Sequence, residues 1–489
     1  MVTSPISWSL RKVVSFGRAL TGACTLVALC CLPLSARSAL AQSNLDAVDR
    51  YVRAELVRQR IPGLSVAILR GDSVLLARGY GEANVELRVP ASDGTVYQSG
   101  SIGKQFTSAL VVMLAEEGRL GLDDSITRWF PEARERWKGI TVRHLLTHTS
   151  GIPDYADSTL DYRRDYSEDD LLHLAEGLPL AFPPGTRWRY SNTGYALLGI
   201  MIHRVTSTFY GDLLRERIFR PLGMRTARII SEADIVPNRA AGYRLERDTL
   251  KNQDWVAPLL NTTADGSLYL TVRDLAVWAV ALNHRRVPSP ASLDASWQPV
   301  RLAGGGVYPY GFGWGLLPQR GYRRIGHTGS WQGFQTSIQR YPGFDLTVIV
   351  LANLAQSRPE AISVAIAGIL EPALTPPERL TSSPGHDAPR DPIPSVLSWI
   401  AAESHADRLT PGLRGFSSIA TRAELGRVLQ GTADWSFIGC DRPRDAFDYL
   451  DSKVAFICYE KRSGKKSGTL VTVYYDAAWR AAGVELDAF

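Results

Sequence analysis

Gln98-Ser99-Gly100-Ser101-Ile102-Gly103-Lys104-Gln105-Phe106 is the stretch on which the reading of this chain turns. Ser101 and Lys104 stand three residues apart, and a helical period follows. Phe106, Leu110 and Met113 fall at i, i+4 and i+7, with Gly118 as the stop. A helix starting near Ser101 sets its hydroxyl and the Lys104 ammonium on one face, about one turn apart. A serine hydroxyl is a weak nucleophile until a base takes its proton. A lysine can be that base only where burial or another cation lowers its pKa. Ser-x-x-Lys supplies both parts, but four residues recur by chance, so the rest of the chain must supply the other groups.

The 489 residues are enough for about two or three domains. Hydrophobic content of 45% and charged content of 21% suit a globular protein with a full core. The N-terminus reads as a secretory signal over residues 1–41. Arg11, Lys12 and Arg18 precede an apolar run from Ala19 to Leu34, and Ala39-Leu40-Ala41 offers small residues before a cut. Pro33 and the shortness of the run argue against a retained anchor, since spanning needs roughly 20 apolar residues. No stable membrane span is expected after the leader is removed, and the protein is expected in the periplasm or the medium. With Arg37 the leader holds four cations, so the net charge of +6 falls to +2, which gives no reason to expect nucleic acid as a partner. Only Cys440 and Cys458 then remain, an even count for an oxidising compartment, and a disulfide between them is expected.

Taken in order, Leu45 to Arg60 has helical spacing and Pro62-Gly63 ends it. Leu64–Leu69 and Ser73–Arg78 read as a hairpin, with Gly79 and Gly81 marking its exit. From Leu120 to about Pro290 the chain reads as helix and loop, with the stronger helices at Ile140–Thr147, Asp169–Glu176, Tyr195–Val205 and Val272–Leu282. Strands are expected at Tyr310–Leu316, Tyr322–Gly326, Phe334–Tyr341 and Leu346–Leu351, then a closing helix at Glu360–Leu370. Strands from both ends flank a helical middle. The fold class is therefore α/β (α+β): one mainly antiparallel sheet flanked by helices, plus a helical subdomain, over residues 42–374. Residues 375–394, rich in Pro, Ser and Asp, read as a linker. Residues 395–489 read as a small α+β unit of unknown function, with strands at Trp435–Cys440, Val454–Tyr459 and Thr469–Tyr474 and a helix capped by Thr421 and Glu424.

Two further clusters carry chemistry. Tyr190-Ser191-Asn192 offers a phenol that relays protons if a neighbouring lysine depresses its pKa, and an amide that holds a substrate amide. His327-Thr328-Gly329, followed by Ser330-Trp331, offers a ring, a hydroxyl and an unobstructed edge strand whose amides pair with an extended acyl group. The three clusters stand in order, separated by 89 and 137 positions. In this order the sequence resembles the serine β-lactamase and penicillin-binding-protein superfamily, nearest the branch of class C β-lactamases, serine D,D-carboxypeptidases, D-aminopeptidases and β-lactamase-like esterases. Leu145-Leu146-Thr147-His148-Thr149-Ser150-Gly151 and Tyr310-Gly311-Phe312-Gly313-Trp314 resemble its connecting segments, and the likeness covers roughly Leu45 to Leu370.

The resemblance implies a β-lactamase-like fold and a role for each matched residue. Ser101 is acylated, Lys104 eases the proton transfer, Tyr190 shuttles the proton to the leaving group, and Asn192 positions the acyl side chain. The backbone N–H groups of Ser101 and Ser330 form the oxyanion hole. His327 stands where many β-lactamases have lysine, and a histidine is largely neutral at pH 7. That departure favours a D,D-peptidase or D-aminopeptidase pattern over an efficient β-lactamase. The expected function is an exported serine hydrolase acting on a small amide or ester, favouring a D-amino-acid-containing peptide. An esterase or weak β-lactamase is the alternative within the class, and a non-catalytic cell-wall peptide binder the alternative outside it. The expected partner is a small molecule or short peptide, with cell-wall peptide as a candidate, and no cofactor. His144 and His148 have zinc-pair spacing but enclose no general-base Glu, so capping or core hydrogen bonds are the expectation there. Of Tyr310, Trp314 and Trp331, only Trp331 is expected to line the acyl pocket.

Overall fold

The computed structural model describes residues 34–155, 160–229, 233–258, 260, 263–266, 268–375, 391–402, 404–411, 413, 425–426, 428–430, 434–441, 448–449, 452–463 and 468–488. It divides into a unit up to Ala47 and a unit from Val48 onward. Most of the expected leader, most of the expected linker, and Thr421 and Glu424 lie outside the described residues. The first described helix, Leu34–Gln59, begins earlier than the expected Leu45. Among the described residues no helix is long and apolar enough to cross a membrane.

Six antiparallel strands form the central sheet, in the order Ile325–Trp331, Phe334–Tyr341, Leu346–Ala352, Gly63–Arg70, Ser73–Asn84 and Val89–Pro90. Strands from distant parts of the sequence meet at its centre, where Leu64 lies opposite Ala352 and Arg70 opposite Leu346. These two strands are apolar almost throughout because both of their faces are covered. On Phe334–Tyr341, Ser337 bonds to Ser363 of helix Pro359–Leu370 at 3.2 Å, whereas Arg340 bonds to Asn283 of helix Val272–Asn283 at 2.8 Å. Residues 337 and 340 differ in parity, so the two helices cover opposite faces of the sheet.

Helix Lys104–Glu116 is buried along almost its whole length. Phe106 packs edge-on to Phe219 at 5.5 Å and against Trp278 at 4.6 Å, and the Trp278 indole N–H donates to Gln105 Oε1 at 3.1 Å. That burial fixes the N-terminal turn of the helix in the interior. The helical middle includes Val142–Leu146, Glu168–Gly177 and Asn192–Thr206. Capping boxes start helices at Thr141, Ser167 and Thr271. His144 serves the first of these, accepting from the Thr141 amide at 3.2 Å.

Four expectations change. The strand expected at Tyr322–Gly326 starts only at Ile325 and runs on to Trp331, because its pairing with Phe334–Tyr341 reaches no further than Ile325. Tyr310–Leu316 is not a strand. Gly313 has φ +76°, and a methyl at Gly311 would sit 2.0 Å from Ser296 O, so the glycines wrap this aromatic segment against the nucleophile helix instead of extending it. Ser73–Asn84 runs through Gly79 and Gly81, where a methyl would strike the backbone of Ala91 or Pro62, so these glycines admit close chains and do not end the strand. Helix Ile393–Ala402 begins inside the expected linker.

The C-terminal sheet orders its strands Asp434–Asp441, Phe456–Ser463, Gly468–Tyr475 and Ala481–Ala488, the last unforeseen. Cys440 and Cys458 face each other across the first pair and are joined by a disulfide. Tyr308 and Leu317 pack against this unit's core, and Tyr474 Oη donates to Pro318 O at 3.4 Å. Replacing both cysteines with serine lowers stability by about 3 kcal/mol in the chain-entropy account, read as a lower urea midpoint; an unchanged midpoint refutes a stabilising role for the bridge.

Candidate active site

Gly100–Gly103 forms a tight 3₁₀ turn that leads into helix Lys104–Glu116, so Ser101 lies on the turn and Lys104 on the first helical residue. The turn presses against the edge strand. Gly100 has φ +53°, and a methyl there would lie 2.5 Å from Ser330 N; a methyl at Gly329 would lie 2.0 Å from Ser99 O and 3.0 Å from Ser101 N. Only glycine fits at either place. Thr336 ties the two elements together by donating to Ser99 O at 2.6 Å.

The edge strand also aims its amides. Gly326 exchanges two hydrogen bonds with Gly315 on the outer edge, at 2.7 and 3.0 Å. Antiparallel alternation then puts the backbone groups of Thr328 and Ser330 on that same outer edge, facing the Ser101 turn. The N–H groups of Ser101 and Ser330 can therefore serve one oxygen atom.

Lys104 is fully buried. Its Nζ donates to Ser101 Oγ at 3.1 Å, to Asn192 Oδ1 at 2.7 Å, and to the Asp265 carbonyl. Burial lowers its pKa to about 8, against the opposing pull of the Asp265 and Asp154 carboxylates. Asn192 is held in turn by Asp154, whose Oδ2 accepts from the Asn192 side chain at 2.9 Å and its amide at 3.0 Å. Tyr155 Oη donates to Asp265 at 2.8 Å. Lys104 Nζ also sits 4.8 Å over the Tyr190 ring and 5.3 Å from that of Tyr195.

Tyr190 departs from expectation. Its hydroxyl is buried without a hydrogen-bond partner among the described residues. Burial pushes its pKa well above 10, with the nearby Ser101 hydroxyl pulling the other way. The phenol is neutral and able to donate, because desolvation, joined by the Asp265 and Asp154 charges, disfavours the phenolate.

A cavity of about 210 Å³ adjoins the cleft, lined by Tyr190, Tyr310, Leu317, Arg324, His327 and Glu360 among others. A larger depression of about 430 Å³, bordered by Asp124, Arg128, Arg134 and Lys138, is a charged loop surface that includes none of the motif residues. Burial lowers the His327 pKa to about 4, assisted by the Lys104 charge. Trp331 does not line the 210 Å³ cavity; it packs against the core with Tyr162 at 6.1 Å. Tyr310 does line it, and Trp314 is buried in the core beside Trp297.

Residues 48–370 match the family model described as Beta-lactamase. The chain belongs to the β-lactamase family. It is 32% identical over 307 residues to penicillin-binding protein 4* of Bacillus subtilis (strain 168), covering 59% of this chain and 67% of that protein. The octameric penicillin-binding protein homologue from Pyrococcus abyssi superposes with a TM-score of 0.60 at 24% identity, over 87% of this chain and 98% of that one. A D-stereospecific amidohydrolase from Streptomyces sp. superposes at 0.56 with 25% identity, over 66% and 97%. The β-lactamase-family chain is thus a serine hydrolase, and the non-catalytic binder reading falls away.

The structure brings Ser101, Lys104, Tyr190, Asn192 and the His327–Ser330 edge together. Sequence reasoning missed Asp154 and Asp265, whose positions carry no motif; it placed His148 in capping or core hydrogen bonds and Tyr310 outside the pocket, and gave neither a part in the site. Among the described residues no group of acidic, histidine or cysteine side chains is arranged to hold a metal. Asp154→Asn removes one of the charges that hold the proton on Lys104. The alkaline-rising limb of kcat/KM on a generic ester should then move to lower pH by roughly half a unit to one unit, and a shift to higher pH would contradict this electrostatic account.

Proposed function

We propose that this is an exported serine hydrolase that cleaves a small amide or ester through an acyl-enzyme on Ser101, with a D-amino-acid-containing peptide or amide as the favoured substrate. The observation that carries it is the buried Lys104 ammonium within 3.1 Å of Ser101 Oγ. Ser101 Oγ attacks the carbonyl carbon as its proton passes to neutral Lys104. The oxyanion takes hydrogen bonds from the Ser101 and Ser330 amides, a contribution of a few kcal/mol. Tyr190, a neutral phenol, gives its proton to the departing amine or alcohol and recovers one from Lys104. Water then attacks the ester carbonyl, its proton passing by way of neutral Lys104 to Ser101 Oγ as the acyl C–Oγ bond breaks and the acid leaves. Asn192 holds Lys104 and is placed to meet the acyl side chain; Thr328, Gly329 and Ser330 align the substrate backbone.

Two features favour an amide or ester over a penicillin. His327 is neutral and offers no fixed cation to a carboxylate. The Streptomyces neighbour is a D-stereospecific amidohydrolase. The leader and the paired cysteines support export to the periplasm or medium, which the N-terminal residue of the protein recovered outside the cytoplasm tests directly.

A fluorophosphonate probe followed by peptide mapping should label Ser101, and label elsewhere would sink the assignment. Ser101→Ala should lose about 10⁴-fold or more in kcat with its fold intact. A panel of D-amino acid amides, short-chain esters and a chromogenic cephalosporin ranks the substrates, and fastest turnover of the cephalosporin would reverse the preference. Since burial lowers the Lys104 pKa, the neutral base appears as pH rises; kcat/KM should climb through about pH 8. Lys104→Arg, charged at every accessible pH, should abolish that limb.

A further inference from the structure

A directed hydrogen-bond chain runs from the interior to the edge of the cleft. The Ser191 amide meets His148 Nδ1 at 3.2 Å, His148 Nε2 meets Tyr310 Oη at 3.2 Å, Tyr310 Oη meets His327 Nε2 at 2.9 Å, and His327 Nδ1 meets Thr328 O at 2.5 Å. Its two ends admit one direction only. A backbone N–H can only donate, so His148 Nδ1 is the acceptor and its proton sits on Nε2. A carbonyl oxygen can only accept, so His327 carries its proton on Nδ1 and keeps a lone pair on Nε2. Tyr310 closes the chain, accepting from His148 and donating to His327.

Both rings are neutral. His148 is buried, and desolvation, with Lys104 and His327 nearby, drives its pKa well below 6.5. The groups facing it are Lys104, Tyr190, Tyr195, Trp188 and Tyr310. His327 faces Tyr190, Tyr310 and the Lys104 charge; in the adjoining cavity Arg324 and Glu360 pair with each other at 3.2 Å. Adding a proton to His327 Nε2 would point two N–H groups at Tyr310 Oη and turn the phenol proton out of the chain, toward Tyr195. Breaking a satisfied buried chain is costly, so it resists that protonation.

We propose that Tyr310 and His148 are positioning residues that hold His327 as its Nδ1–H tautomer, so that this edge of the cleft discriminates against substrates bearing a carboxylate beside the scissile group. A carboxylate placed there is desolvated against a ring with no N–H to offer. An uncharged amide or ester meets only the strand backbone and the Thr328 hydroxyl. The substrate consequence rests on the reading of Ser101 as nucleophile; the tautomer does not.

The test is ring ¹⁵N spectroscopy on the full chain labelled at histidine, with His327→Gln assigning the resonance. Wild type should show His327 Nε2 as the unprotonated nitrogen. Tyr310→Phe should shift the population toward Nε2–H and raise its titration midpoint by about one unit. With the midpoint moving from about 4 to about 5, the protonated fraction at pH 5 rises about fivefold, and KM for a carboxylate-bearing ester should fall by about that factor relative to its uncharged counterpart. His148→Asn keeps an acceptor for the Ser191 amide, removes the Nε2–H donor, and should move the tautomer the same way should Tyr310→Phe not fold. Nε2–H in wild type, or an unmoved tautomer and unmoved KM ratio in the folded variants, overturns the proposal. Ser101→Ala should retain the wild-type tautomer, so a wrong nucleophile shows in turnover and a wrong tautomer shows in the spectrum.

Discussion

An ammonium group with almost no access to water organises this protein. Lys104 is surrounded by Ser101, Asn192, the Asp265 carbonyl and the faces of Tyr190 and Tyr195. Desolvation alone would strip its proton, and two carboxylates hold enough of it back to leave the pKa near 8. A lysine poised there alternates between acid and base near neutral pH. Each surrounding element then has a defined task. The helix Lys104–Glu116 supplies burial, Asn192–Thr206 delivers an acceptor at its first residue, and the loop at Asp265 brings a carbonyl and a charge.

The sheet serves that centre by proximity. Its edge strand comes so close to the Ser101 turn that Gly100 and Gly329 have no room for a methyl. The same closeness aims the Ser330 amide at the cleft. The aromatic segment after Tyr308 lies between two bodies: Tyr310 reaches the histidines of the cleft, while Tyr308 and Leu317 pack on the C-terminal core. One wall of the adjoining cavity is thereby shared with the C-terminal unit.

Much of the fold was legible. Phe334–Tyr341 and Leu346–Ala352 are continuous β-rich runs, and a turn at Pro342-Gly343 separates them, so period and punctuation agree. Tyr310–Leu316 misled because aromatic content resembles a strand while its glycines serve close packing. The start of the nucleophile helix at Lys104 instead of Ser101 is also a packing result, since the tight turn exists to meet the edge strand.

By itself the sequence determined the chemical inventory: Ser101 with Lys104, Tyr190 with Asn192, and His327 through Ser330, each a local pattern whose spacing survives in one dimension. Tertiary structure decided what those groups are electrically. A neighbouring lysine could depress the Tyr190 pKa, yet burial raises it, because desolvation depends on what surrounds the ring and not on its neighbours in the chain. His148, Asp154, Asp265 and Tyr310 joined the site only when the chain folded. Hydrogen bonds linking residues 38 to 162 positions apart leave no period or motif for a sequence to display.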